Sequence, residues 1–415
     1  MRKLEKYSMG VGDRFNRQAK AQLSALMEAE KRGIELVPVW NKSYREHSII
    51  GSKAESTREQ ADAAVRELVW NKSYYVDADH IGLATADFFL KAANFYTLDV
   101  ADFIGKAAPA EVIEKFIADN KKYLGSFKVP GIAEAFTVEE SFLRQTAGKY
   151  LAAAAEAGKI FRFIASKKDP DDIVIEVSMD ETDAPQTPLE MFFILSALAS
   201  EKIPMQTVAP KFSGRFNKGV DYVGDAERFG KEFEEDLAVV KLAVSEFNLP
   251  ENLKLSVHSG SDKFSIYPKI AAAIKKTGAG LHLKTAGTTW LEELIGLAEA
   301  GGKGLETAKT IYERSLKKYD ILTGPYSTVI DIDKQKLPSA EEVKGWSSEK
   351  YVNSLRHDLS NPEYDLNFRQ LLHVGYKIAA DMGEEYLSAL SENEETIAKN
   401  VKENILERHI MKIFA

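Results

Sequence analysis

Two stretches of the sequence decide the fold: Ser256-Val-His258-Ser-Gly-Ser-Asp262-Lys263 and Leu281-His282-Leu-Lys284-Thr285-Ala-Gly287. In each, a short run with strand character ends in polar side chains that include a histidine and a lysine. Parallel α/β barrels build their active sites at the C-terminal ends of their strands. The two stretches therefore predict strands of such a barrel, each ending at its active site.

Outward from these stretches, β-branched runs alternate with amphipathic helical segments, which is typical of parallel βαβ units. Seven runs have strand character: 34–39, 73–78, 94–98, 172–179, 204–210, 253–258 and 280–285. We expect an eighth strand near 321–331 or 371–376. The pattern predicts an α/β fold, a TIM-type (β/α)8 barrel that forms the catalytic domain over residues 1–340. Residues 341–415 are predicted to be a mostly helical C-terminal extension packed on the barrel.

The composition limits the classes of partner. The chain has 415 residues, a net charge of −8 and dispersed lysines and arginines, so it lacks the basic stripe of a nucleic-acid-binding protein. No apolar run approaches the roughly 18 residues of a membrane-spanning helix. The charged N-terminus lacks the apolar segment of a signal peptide, and we expect a cytoplasmic protein. Because the sequence contains no cysteine, a metal ion must be bound by His, Asp or Glu.

Three of the seven histidines, His80, His258 and His282, fall at or near predicted strand ends. Three imidazoles with one open coordination position suit zinc, manganese or a similar divalent cation. The sequence therefore predicts a metal site built from these three residues. His373 is a weaker candidate, and His409, in a charged terminal helix, is expected to be exposed to solvent.

Two predicted strands carry carboxylates. Glu176 interrupts a β-branched run, and the period of two places it on one face with Ser178 and Asp180. A carboxylate inside a barrel is unfavourable unless it is paired, metal-bound or protonated, so Glu176 is a candidate acid/base or ligand. The alternative is a buried ion pair with a lysine such as Lys211 or Lys284. Asp79, next to His80, is a second candidate, with the alternative that it caps the next helix.

Five cationic side chains could hold an anionic group: Lys211, Lys218, Lys263, Lys284 and Arg369. Lys284 differs from the others because it lies inside an apolar strand. It could instead be a Schiff-base lysine, which needs no metal. The glycine patterns match neither a dinucleotide fingerprint nor a phosphate-binding loop, which disfavours a bound nicotinamide cofactor.

With these stretches identified, the chain resembles the tagaturonate epimerase family over about residues 10–380. The matching segments are Gly12-Asp13-Arg14, Ala78-Asp79-His80, Glu176-Val-Ser-Met-Asp180-Glu181-Thr, Gly219-Val-Asp221-Tyr, Val257-His258-Ser-Gly-Ser-Asp-Lys-Phe-Ser265, Lys284-Thr-Ala-Gly-Thr288 and Arg369-Gln-Leu-Leu-His373-Val. Departures from the family pattern occur at Trp40-Asn41-Lys42 and Phe212-Ser-Gly-Arg215-Phe, and they bear on substrate identity more than on chemistry.

The resemblance implies a metal-dependent enzyme that interconverts D-tagaturonate and D-fructuronate at C4. It implies that Asp79 is the proton acceptor, Glu176 the proton donor, and His80 and His258 metal ligands. We extend the metal site to His282 because of its strand position. The residues expected to contact the substrate are Lys284, Lys263, Asp180 and Arg369.

The C4 hydrogen of such a keto-uronate is not acidic, because C4 is β to the ketone, so simple deprotonation cannot invert this carbon. Retro-aldol cleavage of C3–C4, followed by recondensation on the other face of the aldehyde, can invert it. The alternative enzymes are a metal-dependent aldolase or a ketose isomerase or epimerase acting on a related sugar. A non-catalytic sugar-acid-binding protein is a further alternative. The expected partner is a small sugar acid, and the oligomeric state is left open.

Overall fold

The computed structural model describes residues 2–285 and 288–415, so Ala286 and Gly287 of the second quoted stretch lie outside the described residues. Eight parallel strands form a closed barrel, which confirms the predicted fold class. We number them β1 to β8 in chain order. Their bounds are Tyr7–Gly12, Val37–Ser43, Tyr75–Ile81, Phe95–Asp99, Val174–Ser178, Met205–Ala209, Lys254–His258 and Leu281–Lys284.

Neighbouring strands in the barrel are also neighbours in the chain, and β1 closes the ring between β2 and β8. Ser8 pairs with Val37 on one side and with His282 on the other. The prediction of an eighth strand near 321–331 or 371–376 was wrong, because the first segment consists of helical turns and loop and the second lies mostly in helix. The true closing strand contains two glycines, which weaken the sequence signal of a strand.

Helices surround the barrel. Up to residue 317 they are Ala19–Lys31, Tyr44–Ile50, Ala54–Glu67, Ala86–Phe89, Ala110–Asn120, Glu140–Ala165, Pro188–Ser200, Ala226–Glu246, Tyr267–Thr277, Thr288–Ala300 and Gly302–Lys317. Short 3-10 turns and a two-stranded hairpin, Gly125–Phe127 with Phe136–Val138, lie in the connections. Local sequence explains individual helix starts. Thr187 caps Pro188–Ser200 by accepting a hydrogen bond from the backbone N–H of Glu190, and proline occupies the first helical position.

The C-terminal part is helical and packs on the β1–β2 side of the barrel through a shared apolar cluster that includes Trp290, Tyr351 and Phe368. Its helices are Tyr319–Thr323, Ala340–Lys344, Ser348–Leu355, Leu366–Val374, Tyr376–Met382, Glu384–Glu392, Glu394–Glu403 and Met411–Ile413, with a π-helical turn at Asn404–Ile410. The prediction that His409 is exposed was wrong. This residue is fully buried, with Nε2 3.0 Å from Oδ1 of Asp262. Within the described part of the chain, none of the helices has the length and apolarity to cross a membrane.

The strands β1 and β8 approach so closely at Gly10 that only glycine fits at this position. A Cβ atom at Gly10 would lie 2.6 Å from Cγ of Lys284, closer than side-chain atoms pack. Gly10 pairs in register with Lys284, so the two residues share one level of the barrel. The glycine leaves the space through which the lysine side chain extends into the interior.

Candidate active site

The ammonium group of Lys284 is the centre of a buried ionic cluster in the barrel. Its Nζ atom lies 2.9 Å from Oδ2 of Asp77, 2.8 Å from Oδ1 of Asp79 and 2.9 Å from Oε1 of Glu176. It also donates to the hydroxyl of Thr97 at 2.6 Å. These partners come from strands β3, β4 and β5, so one lysine on β8 links four strands across the barrel interior.

The cluster contains three carboxylates and one lysine, and these charges shift the pKa values of both the lysine and the acids. Burial acts to lower the pKa of Lys284, but Asp77, Asp79 and Glu176 together raise it well above its ordinary value. Burial acts to raise the pKa of Glu176, yet Lys284 and His258 hold it well below its ordinary value. A lysine held as an ammonium ion lacks the free electron pair of a Schiff-base nucleophile. The cluster therefore favours the ion-pair interpretation of Lys284.

A backbone irregularity lets two consecutive residues of β3 face the same space. The pairing of β3 with β4 shifts register between Ala78 and Ile81, and His80 has a positive φ of 51°. A left-handed residue other than glycine costs about 1–2 kcal/mol. The bulge turns His80 toward Asp79 and Asp99, with Nδ1 3.0 Å from Oδ2 of Asp99. Both Asp79 and His80 thus line one cavity.

The imidazole of His258, at the end of β7, lies between two carboxylates. Its Nε2 is 2.8 Å from Oε1 of Glu176, and its Nδ1 is 3.2 Å from Oδ2 of Asp180. Burial and Lys284 act to lower the pKa of His258, but Asp180 and Glu176 raise it to about 9. The surroundings of this ring therefore strongly favour positive charge.

Potential metal ligands converge at the mouth of the barrel. One nitrogen each from His80 and His258 and one carboxylate oxygen of Asp180 lie within 4.8 Å of one another. A second group within the same distance consists of His80, Asp99 and Glu181. Imidazole and carboxylate donors at such separations suit a divalent cation. Among the described residues, these two groups are the ones in which three such donor atoms lie within 4.8 Å of one another.

His282, the third histidine of the sequence prediction, lies one level deeper in the barrel. Its Nδ1 is 2.9 Å from the hydroxyl of Ser8, and its Nε2 is buried without a hydrogen-bond partner among the described residues. Burial lowers its pKa to about 3, so the ring is neutral. The structure brings His80 and His258 together with Asp180 instead of with His282.

A cavity of about 330 Å³ opens above the ionic cluster, and Asp79, His80, Asp180, His258 and Lys284 line it. A second cavity of about 420 Å³ shares part of this lining. Such volumes are within the range typical of small-molecule sites. Glu176 is fully buried and is not among the lining residues.

Two of the predicted substrate contacts lie away from the cavities. The Nζ atom of Lys263 donates to the carbonyl of Val220 at 2.9 Å, and Arg369 donates through Nη2 to Oδ2 of Asp262 at 2.8 Å. Both side chains are completely buried, and neither lines the cavities. Burial lowers the pKa of Lys263 to about 7.

Several cavity residues were not singled out from the sequence. They include Arg45, on the helix Tyr44–Ile50, and Tyr326, in a 3-10 turn, whose ring lies 5.2 Å from the Arg45 guanidinium. Arg14, named only as part of a family motif, also lines the cavity, where it pairs with Glu46. Arg14 and Arg45 each follow the C-terminal end of a barrel strand by two residues, and they were not singled out because β1 was not predicted and β2 was predicted to end at residue 39. Tyr326 reaches the cavity by long-range packing, for which the local sequence gives no signal.

Comparisons with known proteins agree with this architecture. The family described as tagaturonate epimerase matches residues 1–413. A tagaturonate/fructuronate epimerase of Thermotoga maritima is 30% identical over 419 residues, which span 96% of this chain and 80% of that protein. The glycerol-complexed crystal structure of a fructuronate-tagaturonate epimerase from Cohnella laeviribosi has a TM-score of 0.81 at 24% identity, covering 99% of this chain and 82% of that one. The native structure of the Cohnella protein gives a TM-score of 0.79 at the same identity.

A closed parallel barrel whose strand ends carry acids, imidazoles and a buried lysine is the framework of an enzyme, and the similar proteins place it in the isomerase class, among the epimerases. The match extends over almost every residue of the sequence. The chain belongs to the tagaturonate epimerase family.

Proposed function

We propose that the protein interconverts D-tagaturonate and D-fructuronate by inverting C4, and that it does so by breaking and remaking the C3–C4 bond. The relative from Thermotoga maritima is named for these two keto-uronates. The observation that carries the proposal is the contact of Lys284 with both Asp79 and Glu176 directly below the cavity, at 2.8 and 2.9 Å. Two carboxylates that contact the same ammonium group can accept a proton from the substrate and later return it.

Asp79 is the proposed proton acceptor. It lines the cavity, and although burial acts to raise its pKa, Lys284 and His80 lower it below its ordinary value. It is therefore ionised at neutral pH and able to accept the C4 hydroxyl proton. As that proton leaves, the C3–C4 electron pair passes to C3, and C4 becomes an aldehyde. Attack by C3 on the opposite aldehyde face, with return of the proton to the C4 oxygen, completes the epimerisation.

Glu176 is the proposed proton donor, and its role is indirect. It is ionised and fully buried, and Thr97, His258 and Lys284 surround it. Because Lys284 contacts both carboxylates, a proton accepted by Asp79 can move to Glu176 and back along these contacts. In this proposal Lys284 relays the proton and balances charge, and it does not anchor the substrate as the sequence suggested.

The family resemblance implies a divalent cation, and the chemistry of the donors fits one. His80, His258 and Asp180 supply two nitrogens and one oxygen within 4.8 Å, among carboxylates that favour positive charge. We propose these three residues as its ligands, with Asp180 in the place that the sequence suggested for His282. A cation bound there would supply Lewis-acid polarisation of the substrate ketone.

The proposal is tested by NMR of the protein with D-tagaturonate, in Mn²⁺ or Zn²⁺ and again after a chelator. We expect D-fructuronate to form only with metal. Cation binding, measured by calorimetry without substrate, should be lost in His80→Ala and His258→Ala. It should be retained in His47→Gln, because this buried histidine lies outside the cavity and contacts Ser52.

Other outcomes would redirect the proposal. Loss of cation binding in His282→Asn but not in Asp180→Asn would restore the ligand set expected from the sequence. Accumulation of free three-carbon products in place of D-fructuronate would identify an aldolase. No turnover in any metal would reject the substrate.

A further inference from the structure

Two unneutralised cations lie where the two cavities meet. Lys218 and Arg45 line both cavities, and neither forms an ion pair with any described residue. Arg14, the remaining arginine of the first cavity, is paired with Glu46. Of the other titratable side chains at the junction, His258 lies between Glu176 and Asp180, and Asp180 and Glu181 are acidic. An anionic group bound at this junction therefore finds its free positive partners at Lys218 and Arg45.

The segment that carries Lys218 is fixed from three directions. The N–H of Lys218 donates to the carbonyl of Val329 at 2.7 Å, and the N–H of Gly219 donates to the hydroxyl of Ser261 at 3.0 Å. The carbonyl of Gly219 accepts from Arg369, and that of Val220 accepts from Lys263 at 2.9 Å. Arg369 and Lys263 thus hold the two backbone carbonyls that directly follow the cavity lysine.

Gly219 is required by this arrangement. Its φ is 79°, a left-handed conformation, and an added Cβ would lie 3.1 Å from Cβ of His373. The nearby Gly260, which follows His258 by two residues, has an ideal Cβ position 3.5 Å from Nζ of Lys218. Lys218 therefore reaches toward the turn after His258, on a backbone held in place before any ligand binds. A cation positioned in advance loses less entropy when it binds an anion.

We propose that Lys218, together with Arg45, binds the C6 carboxylate of the keto-uronate and retains the C4–C6 fragment in the cavity while the C4–C5 bond rotates. Lys263 and Arg369 are positioning residues for this subsite. The inference rests on the proposed function. It assigns carboxylate recognition to two residues that belong neither to the ionic cluster nor to the candidate metal ligands.

The rotation explains why such an anchor is needed. Cleavage of C3–C4 leaves dihydroxyacetone as its enediolate and a three-carbon aldehyde that carries the carboxylate. Inversion requires this aldehyde to turn and present its other face to C3 before the bond re-forms. The hydroxyl proton that left C4 returns to the same oxygen, so the sequence is balanced without an oxidant. A carboxylate fixed at one end permits the turn and opposes release of the fragment.

The test compares Lys218→Gln and Arg45→Gln with the matched control Lys377→Gln. Lys377 also lies over the ring of Tyr326, at 5.4 Å, but does not line the cavities. KM and kcat for D-tagaturonate are measured by NMR in the metal-loaded enzyme, together with free dihydroxyacetone. We expect each of the two variants to raise KM about ten-fold or more, the size of a lost hydrogen bond to a charged group. Dihydroxyacetone released per epimerisation should also rise.

The control should match the wild type in KM and in fragment release. The subsite is rejected if Lys218→Gln and Arg45→Gln behave like Lys377→Gln while the wild type turns over. It is also rejected if Lys211→Gln, which alters only the second cavity, shows the larger effect. A raised KM without added fragment release would reject the anchoring step.

Failure of the proposed function gives a different result, because the wild type itself would then make no D-fructuronate. In that case calorimetry with D-tagaturonate and with D-tagatose, its neutral counterpart at C6, decides the subsite. Stronger binding of the acid that disappears in Lys218→Gln supports the assignment. Equal binding of the acid and the neutral sugar rejects it.

Discussion

Oε1 of Glu176 lies 2.8 Å from Nε2 of His258, although their strands β5 and β7 are separated in the barrel by β6. An ionised carboxylate only accepts hydrogen bonds, so the contact with Glu176 keeps a hydrogen on Nε2. In the neutral ring that binds a cation, the free nitrogen is then Nδ1, on the side of Asp180. Carboxylates that fix the tautomer and orientation of a ligating histidine are common partners of metal sites. Glu176 is thus placed to orient a ligand as well as to hold a proton.

Glu176→Gln is therefore expected to weaken cation binding about 10- to 100-fold, because the amide no longer enforces the same imidazole tautomer. Calorimetric titration with Mn²⁺ measures this effect without substrate. Asp183→Asn is the control, since it removes an exposed charge from the following loop. Unchanged cation affinity in Glu176→Gln would contradict the orienting role.

Lys284→Met is expected to destabilise the fold by about 3–5 kcal/mol at pH 7, because it leaves buried carboxylates without a counter-ion. Burial, together with Asp79 and Glu176, already raises the pKa of Asp77 to about 6, even though Lys284 opposes this shift. Removing the lysine favours protonation of these acids further. The stability difference from the wild type should therefore shrink as the pH falls from 7 to 5.

Urea denaturation at the two pH values measures that difference. Adding Asp77→Asn to Lys284→Met should recover part of the lost stability at pH 7. If the loss is the same at both pH values, the cluster does not act through charge.

Lys254 lies at the start of β7, at the end of the barrel opposite the cavities, and it should make the stability of the protein depend on pH. It is buried, donates to the carbonyl of Glu5 at 2.6 Å, and has a pKa that burial lowers to about 7. The unfolded chain keeps the ordinary lysine pKa, so between pH 7 and about 10.5 it binds more protons than the folded chain. This residue makes the free energy of unfolding rise with pH across that window, by about 1.4 kcal/mol per pH unit.

Lys254→Met should therefore reduce the rise in stability between pH 7 and 10 relative to the wild type. Urea denaturation at several pH values provides the measurement. Lys276→Met is the control, because this lysine lies near the same end and pairs with Glu234 at the surface. An equal reduction in both variants would show that Lys254 is not the group responsible.

Asp262→Asn should destabilise the protein by about 3–5 kcal/mol, because Arg369 would lose its buried counter-ion. The same carboxylate lies 3.2 Å from Nδ1 of His357 and 3.0 Å from Nε2 of His409. It therefore joins the turn after β7 to three parts of the C-terminal segment. Chemical denaturation measures the loss, with the exposed Asp358→Asn as control.

A single cooperative transition in both proteins is expected, since residues 341–415 share the core of the barrel. A separate early transition of the C-terminal segment would show that it folds independently.

The strand-end residues of the site could be predicted from the sequence because barrel geometry brings them together. Parallel strands place the residues at their C-terminal ends on one side of the barrel. The residues that lie at or near the end of an apolar run are Asp79, His80, Glu176, His258 and Lys284. The strand β1 was missed because Gly10 and Gly12 reduce its β propensity, and no pattern in the sequence shows which element closes a ring.

The directions of side chains outside the strands could not be predicted. Lys263 follows the end of β7 and Lys284 ends β8, but the ammonium group of Lys263 turns away from the cavities to hold a backbone carbonyl. Arg45 follows the end of β2 by two residues, but the strand was predicted to end at residue 39, so the sequence did not show that this arginine reaches the cavity. His409 has the sequence environment of a surface residue, yet it contacts Asp262, 147 residues away in the chain.

The space that Gly10 leaves for Lys284 makes positions 10 and 284 mutually dependent. While a lysine is retained at 284, any larger residue at 10 collides with its stem, and once the lysine is shortened the restriction on position 10 is relaxed. Variant libraries should therefore show strong pairwise epistasis between the first and last strands of the barrel. A search that alters one of these positions at a time would not find the compatible combinations.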